Sequence, residues 1–156
     1  MIEFIDEQLF YRDGYKYQSD RDFRILIKEL QGYSVETRFI SLTPDGLFTV
    51  RAGYAWDGAS GPTWDTPSSM RGALVHDALY QLMRMGLLPQ AVRPIADAVA
   101  GLIWRADGMW AGRARAWWRA VRLFAAYAAR RQRPRVLIAP GKPSPATGAD
   151  WYSDGQ

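Results

Sequence analysis

A chain of 156 residues, 48% of them apolar, has the length for one domain with a substantial core. It contains no cysteine, which excludes disulfides, thiolate nucleophiles and sulfur-held zinc, and a single histidine, His76, which excludes every metal site that needs two. The formal charge of +4 is unevenly placed: nine basic residues (Arg113, Arg115, Arg119, Arg122, Arg130, Arg131, Arg133, Arg135, Lys142) and no acid lie between Gly108 and Ala149. Such a block suits a solvated helix face, or an acidic or phosphate-bearing partner.

The N-terminus, Met1-Ile2-Glu3-Phe4-Ile5-Asp6-Glu7, carries acids where an export signal carries bases. No uncharged apolar run approaches the roughly 18 residues of a membrane span. The expectation is a chain made in the cytoplasm, without a membrane span.

Residues 23–30, 35–42 and 47–54 have β-type composition and are separated by Gly32 and by Thr43-Pro44-Asp45-Gly46. Proline presets φ in such a turn and glycine accepts positive φ, so two antiparallel hairpins and a small sheet are expected within residues 1–56. From Thr66 the period changes. Thr66 followed by Pro67 reads as an N-cap and first helical position, and Gly86 as the stop, about five turns later. Met70, Ala73, Leu74, Asp77, Tyr80 and Leu87 recur at helical spacing. A second helix is predicted from near Pro89 or Arg93 to about Ala106, ended by Asp107-Gly108. A third runs from about Met109 to Arg131 and must stop before Pro134.

The fold class is therefore α+β: a small N-terminal antiparallel sheet followed by a three-helix core, with residues 66–131 helical and 1–135 forming one domain. Residues 136–156, with Pro140, Pro143, Pro145 and several glycines, read as a flexible tail that Trp151 and Tyr152 could fasten.

The residues that carry chemistry fall between Trp56 and Asp97. On a helix, His76 and Asp77 diverge by about 100°, and Tyr80 stands one turn beyond His76 on nearly the same face. A neutral imidazole suits general-base work near neutral pH and needs a carboxylate to fix its tautomer. Asp97, 21 residues later on the next helix, is the candidate, because a short connection packs two helices side by side. Asp77 then remains to face the loop Trp56-Asp57-Gly58-Ala59-Ser60-Gly61-Pro62, where a carboxylate and glycine carbonyls suit a hard cation such as calcium. Beside a histidine-activated water, a cation between Asp57 and Asp77 would polarise an ester or amide carbonyl. A structural reading stands next to this one. His76 is then a hydrogen-bonded core residue, Asp57-Gly58 a turn, and Tyr80 a core aromatic with its hydroxyl on a buried carboxylate.

Other chemistries are disfavoured. Gly58-Ala59-Ser60-Gly61 is not a serine-hydrolase elbow, because Pro62 stands where that motif ends in glycine. Paired carboxylates for glycoside cleavage are available among Asp57, Asp65, Asp77 and Asp97. In the third helix Arg115, Arg119 and Arg122 share one face, while Ala114, Trp117 or Trp118, Val121, Phe124 and Ala128 line another. That apolar stripe suits packing against the first two helices, with peripheral membrane contact as the alternative and nucleic-acid binding disfavoured.

The stretch from Gly53 to Pro62 (Gly-Tyr-Ala-Trp-Asp-Gly-Ala-Ser-Gly-Pro) is followed by Arg71-Gly72-Ala73-Leu74-Val75-His76-Asp77-Ala78-Leu79-Tyr80, Ala96-Asp97 and Trp118-Arg119-Ala120-Val121-Arg122. Together these resemble an uncharacterised domain family of tailed bacteriophages and prophages, over most of residues 20–125. More distantly, residues 56–125 are similar to the secreted calcium-dependent phospholipases that cleave the sn-2 ester, especially the small bacterial ones. That resemblance implies His76 as base, Asp97 as its orienter and Tyr80 as support. It also implies Asp57, the Gly58 carbonyl and Asp77 as calcium ligands. The chain differs from those enzymes in having no disulfide and no export signal, and in its added N-terminal sheet. The expectation is a phage-encoded, metal-dependent hydrolase-like protein acting on an ester or amide of the bacterial envelope, lipid or cell wall. It would be made in the host cytoplasm. The alternative is a non-catalytic, virion-associated tail or assembly component, with other virion proteins as partners, that keeps the His-Asp helix pair as a structural device.

Overall fold

A computed structural model describes residues 1–6, 8–9, 11–12, 17–56, 66–124 and 129–130. The strands are β1 (Ile2–Phe4), β2 (Tyr11–Arg12), β3 (Tyr17–Ser19), β4 (Phe23–Ile27), β5 (Val35–Glu36), β6 (Ile40–Leu42), β7 (Leu47–Val50) and β8 (Ala55–Trp56). The helices are α1 (Pro67–Arg84), α2 (Arg93–Ala106) and α3 (Ala111–Phe124). An antiparallel five-stranded sheet in the order β1-β4-β7-β6-β5 precedes the helices, and β2-β3-β8 form a smaller sheet. The fold is α+β.

The period-2 pattern explains the sheet. Phe23, Ile25 and Ile27 of β4 are buried and alternate with Arg24 and Leu26, and Ile25 sits opposite the buried Phe48 of β7. Turning Phe23, Ile25 and Ile27 to one side removes their side chains from water, at roughly 1.5–3 kcal/mol each. The expected hairpin over Thr43–Gly46 joins β6 to β7. The other expected hairpin is absent, because β4 pairs with β1 and β7 and not with the segment after Gly32. That segment folds on itself instead: Thr37 Oγ1 accepts the Ile40 N–H at 2.9 Å and donates to the Ile40 carbonyl at 2.7 Å, which breaks 35–42 into β5 and β6.

Helix α1 is the central element. Leu74, Val75, Ala78, Leu79 and Leu82 are fully buried, and the partly open strip left to it includes Asp77, Gln81 and Arg84 at successive turns. A helix buried nearly all round must satisfy its polar side chains internally. Its start follows the expected capping logic, with the Thr66 N–H donating to Ser69 Oγ at 3.0 Å. Its end falls at Gly86, which adopts φ +74 and returns its N–H to the Met83 carbonyl. Leu87 lies past that stop and is exposed. Sheet, α1 and part of α2 share one apolar cluster, while Ala100, Trp104, Met109 and Ala114 form a smaller one between α2 and α3 with Trp117 and Val121 against it.

The contacts between α1 and α2 run in opposite order along the two helices. Ser69 and Arg71 meet Trp104 and Asp107, while His76 and Tyr80 meet Asp97. The pair is therefore antiparallel, as the short connection implies. Gly72 sets how closely the helices approach: a Cβ there would stand 2.3 Å from the Trp104 indole nitrogen, which donates to the Ser69 carbonyl at 3.2 Å.

The third helix packs into the α2–α3 cluster through Trp117, one of the two expected alternatives, while Trp118 is 38% exposed with its ring edge beside Gly101. The helix stops short of Arg131, because Ala129 and Arg130 lie in a turn and bend. Ala129 is fully buried in the main cluster and its carbonyl accepts a hydrogen bond from Gln90. Phe124 and Ala128 as packing residues lie outside the described side chains, and the expected tail, 136–156, lies outside the described residues. No helix among the described residues is long and apolar enough to cross a membrane.

Candidate functional site

The α1–α2 contact brings His76, Tyr80 and Asp97 together. His76 Nε2 lies 3.1 Å from Asp97 Oδ1, and the Tyr80 hydroxyl donates to the same oxygen at 2.6 Å. A carboxylate only accepts, so in the neutral ring Nε2 carries the proton and Nδ1 the lone pair. The imidazole and phenol rings stack obliquely, with centroids 4.0 Å apart, which fixes the ring plane as well as its tautomer.

Asp97 has no exposed surface and His76 is 7% exposed. Burial alone pushes the Asp97 carboxyl upward. The hydrogen bonds from His76 and Tyr80, with the charges of His76 and Arg93, outweigh it and hold the group below its ordinary 3.8. Burial likewise opposes charging of His76, but the hydrogen bonds and charges of Asp77 and Asp97 prevail and raise it above 6.5. Tyr80 is raised by burial first and then by Asp97, so its hydroxyl remains a donor at any physiological pH.

Asp77 stands on the less buried strip of α1, with its carboxylate 3.8 Å from His76 Nδ1. The adjacent residues thus diverge as helical geometry requires: Nε2 is committed to the interior and Nδ1 turns toward the strip that holds Asp77 and Gln81. Gln81 accepts the Tyr54 hydroxyl at 3.0 Å, tying that strip to the segment that leads into β8. Trp56, the last residue of β8, is buried opposite Tyr17. The remaining expected ligands, Asp57 and Gly58, follow it directly and lie outside the described residues, as does Asp65. Among the described residues no three His, Cys, Asp or Glu side chains converge as a metal-holding group. Asp77 supplies a partly exposed oxygen donor of the kind a hard cation takes, and the proposed set depends on Asp57 and Gly58 to complete it.

Two arginines reach the group that spacing arguments did not assign to it. Arg93 lies one turn before Asp97 on α2, an i, i+4 relation visible in the sequence, and its charge lowers both Asp97 and Tyr80. Arg122 comes from α3, with Nη1 3.8 Å from Asp97 Oδ2. It was expected on a shared face with Arg115 and Arg119, but those two are exposed and Arg122 turns inward. No local spacing links it to His76; only the stretch Trp118–Arg122 in the phage-family resemblance pointed at it.

Comparison with protein-family models, with curated proteins and with solved structures finds no match for this chain.

Proposed function

We propose that the chain is a phage-encoded, metal-dependent hydrolase-like protein acting on an ester or amide of the bacterial envelope, resembling calcium-dependent phospholipases in its helical core. The observation that supports this reading is the commitment of His76 Nε2 to a fully buried, Tyr80-braced carboxylate, which leaves Nδ1 as the basic atom beside Asp77. In the proposed reaction Nδ1 takes a proton from a water as the water oxygen bonds to the carbonyl carbon, whose π electrons move to oxygen. Asp97 stabilises the imidazolium that results, and Tyr80 keeps Asp97 from turning away. The tetrahedral intermediate then expels its alkoxide or amine, which leaves with the proton held on Nδ1. A calcium ion held by Asp57, the Gly58 carbonyl and Asp77 would supply carbonyl polarisation and charge stabilisation.

The test is hydrolysis of phosphatidylglycerol vesicles and of peptidoglycan by the intact protein and by His76→Ala, with calcium calorimetry on the intact protein and on Asp77→Asn. We expect loss of about 10²–10⁴-fold in rate for His76→Ala and loss of calcium binding for Asp77→Asn. Unchanged hydrolysis by a folded His76→Ala, with no calcium binding by either protein, removes the proposal.

The burial of His76 favours a second reading, in which the same hydrogen-bonded group is a structural device in a virion or assembly component. That reading expects co-purification with phage particles and no hydrolysis by the intact protein.

A further inference from the structure

The Asp97 carboxylate is asymmetric. Oδ1 accepts from both His76 and Tyr80, whereas Oδ2 is fully buried and has no hydrogen-bond partner among the described residues. An ionised oxygen in that position needs a cation or it turns to find a donor. The groups that face the carboxylate are His76 and Tyr80 from α1, Arg93 from its own helix and Arg122 from α3, with Asp77 behind the imidazole.

Arg93 and Arg122 have different tasks. The Arg93 guanidinium donates to the Arg122 carbonyl at 3.3 Å, so it fastens the α3 backbone at that residue. The Arg122 side chain lies against the Trp118 ring, 5.6 Å from its centroid, and directs Nη1 at Asp97 Oδ2. Its backbone is held by Arg93 and its side chain by an aromatic face, so Nη1 is directed at Oδ2 while the side chain stays 37% exposed to solvent.

We propose that Arg122 is a positioning residue: a counter-charge, delivered from α3 in addition to that of Arg93, that faces Oδ2 and so keeps Oδ1 turned to His76 and Tyr80. The functional meaning of the inference rests on the hydrolase reading, in which His76 needs a fixed tautomer. The geometric claim is separate from it. On this account α3 is a working part of the site and not only a cover for α2.

Because His76 is the single histidine, its ring nitrogens give an unambiguous signal in ¹⁵N-edited NMR of the full chain. At alkaline pH, where the ring is neutral, the wild-type protein is expected to show the Nε2–H tautomer. Arg122→Gln is expected to introduce a substantial share of the Nδ1–H tautomer, Arg122→Lys to restore the wild-type pattern, and Arg119→Gln, on the exposed face, to leave it intact. In an Asp97→Asn background the Arg122→Gln change is expected to add nothing, either to the ring signal or to the urea midpoint. An unchanged tautomer in Arg122→Gln overturns the inference, as does an equal change in Arg119→Gln or an additive effect in the Asp97→Asn background.

A second readout separates this inference from the hydrolase reading. With 4-nitrophenyl butyrate as probe, Arg122→Gln should lower kcat about tenfold and leave KM unchanged, the mark of lost positioning without lost binding. A wild-type protein that hydrolyses no ester or envelope substrate would remove the hydrolase reading while the NMR result still decides the role of Arg122.

Discussion

The contact between α1 and α2 holds two polar groups of opposite character. At one end Arg71 meets Asp107: the guanidinium bonds both carboxylate oxygens, at 3.0 and 3.1 Å from Nε, and lies 4.0 Å over the Phe4 ring. At the other, His76 and Tyr80 share one oxygen of Asp97. The first group is an ion pair with several hydrogen bonds and joins β1, α1 and α2. The second is built on a base that changes charge near neutral pH and leaves one carboxylate oxygen to a third helix. The comparison teaches that a buried polar contact can serve as a clamp between elements, or can hold a group that titrates.

The largest expected effect is at the His76–Asp97 end. Asp97→Ala leaves the Tyr80 hydroxyl and the His76 N–H without their acceptor in a dry interior, and we expect a loss of about 3–5 kcal/mol in urea unfolding. At the clamp, Asp107→Ala should cost about 2–3 kcal/mol, because Arg71 keeps some solvent access and its Phe4 contact. A loss at Asp107 exceeding that at Asp97 would reverse the ranking of the two ends. Between them, Gly72→Ala should cost about 1–3 kcal/mol by pushing the Trp104 indole off α1. Near-ultraviolet circular dichroism of the tryptophans should register that displacement.

The smallest effect is a slope, and it belongs to the His76–Asp97 end. His76 is raised in the folded protein, so its contribution to stability is complete below its ordinary 6.5 and is lost as pH rises through the higher folded value. A general base works in its neutral form, so the proposed hydrolysis, with His76 as base, should rise across the same interval. Unfolding measured from pH 6 upward should show stability falling in the wild type and a flatter profile in His76→Gln. Asp97 acts only at the acid end: its stabilisation is present above 3.8 and is lost as pH falls through its lowered folded value.

The long-period features were legible in the sequence. Thr66-Pro67 and Gly86 bracket α1 because capping and stop signals are local, and Asp97 could be paired with His76 because a short connection leaves two helices few ways to lie. Strands β1, β2, β3 and β8 were not legible, since two or three residues carry no period of their own and acquire strand geometry only from neighbours such as Trp56 opposite Tyr17. The break at Thr37 was hidden because its cause is one hydroxyl serving both backbone groups of Ile40. The reach of Arg122 to Asp97 was hidden for a related reason. Its inward turn depends on where α3 docks, which no spacing within α3 records.

The indole of Trp104 seated over Gly72 has a mechanical consequence. It acts as a peg in a notch: sliding α1 along α2 by one turn, about 5.4 Å, would bring a residue bearing a Cβ under the ring, either near Ser68 and Ser69 or near Val75 and His76. Trp104 also touches Trp117 edge-on, so the peg is braced from α3. The alignment that brings a histidine and an aspartate 21 residues apart to within a hydrogen bond is therefore indexed by a glycine, through the space its missing side chain leaves for the indole.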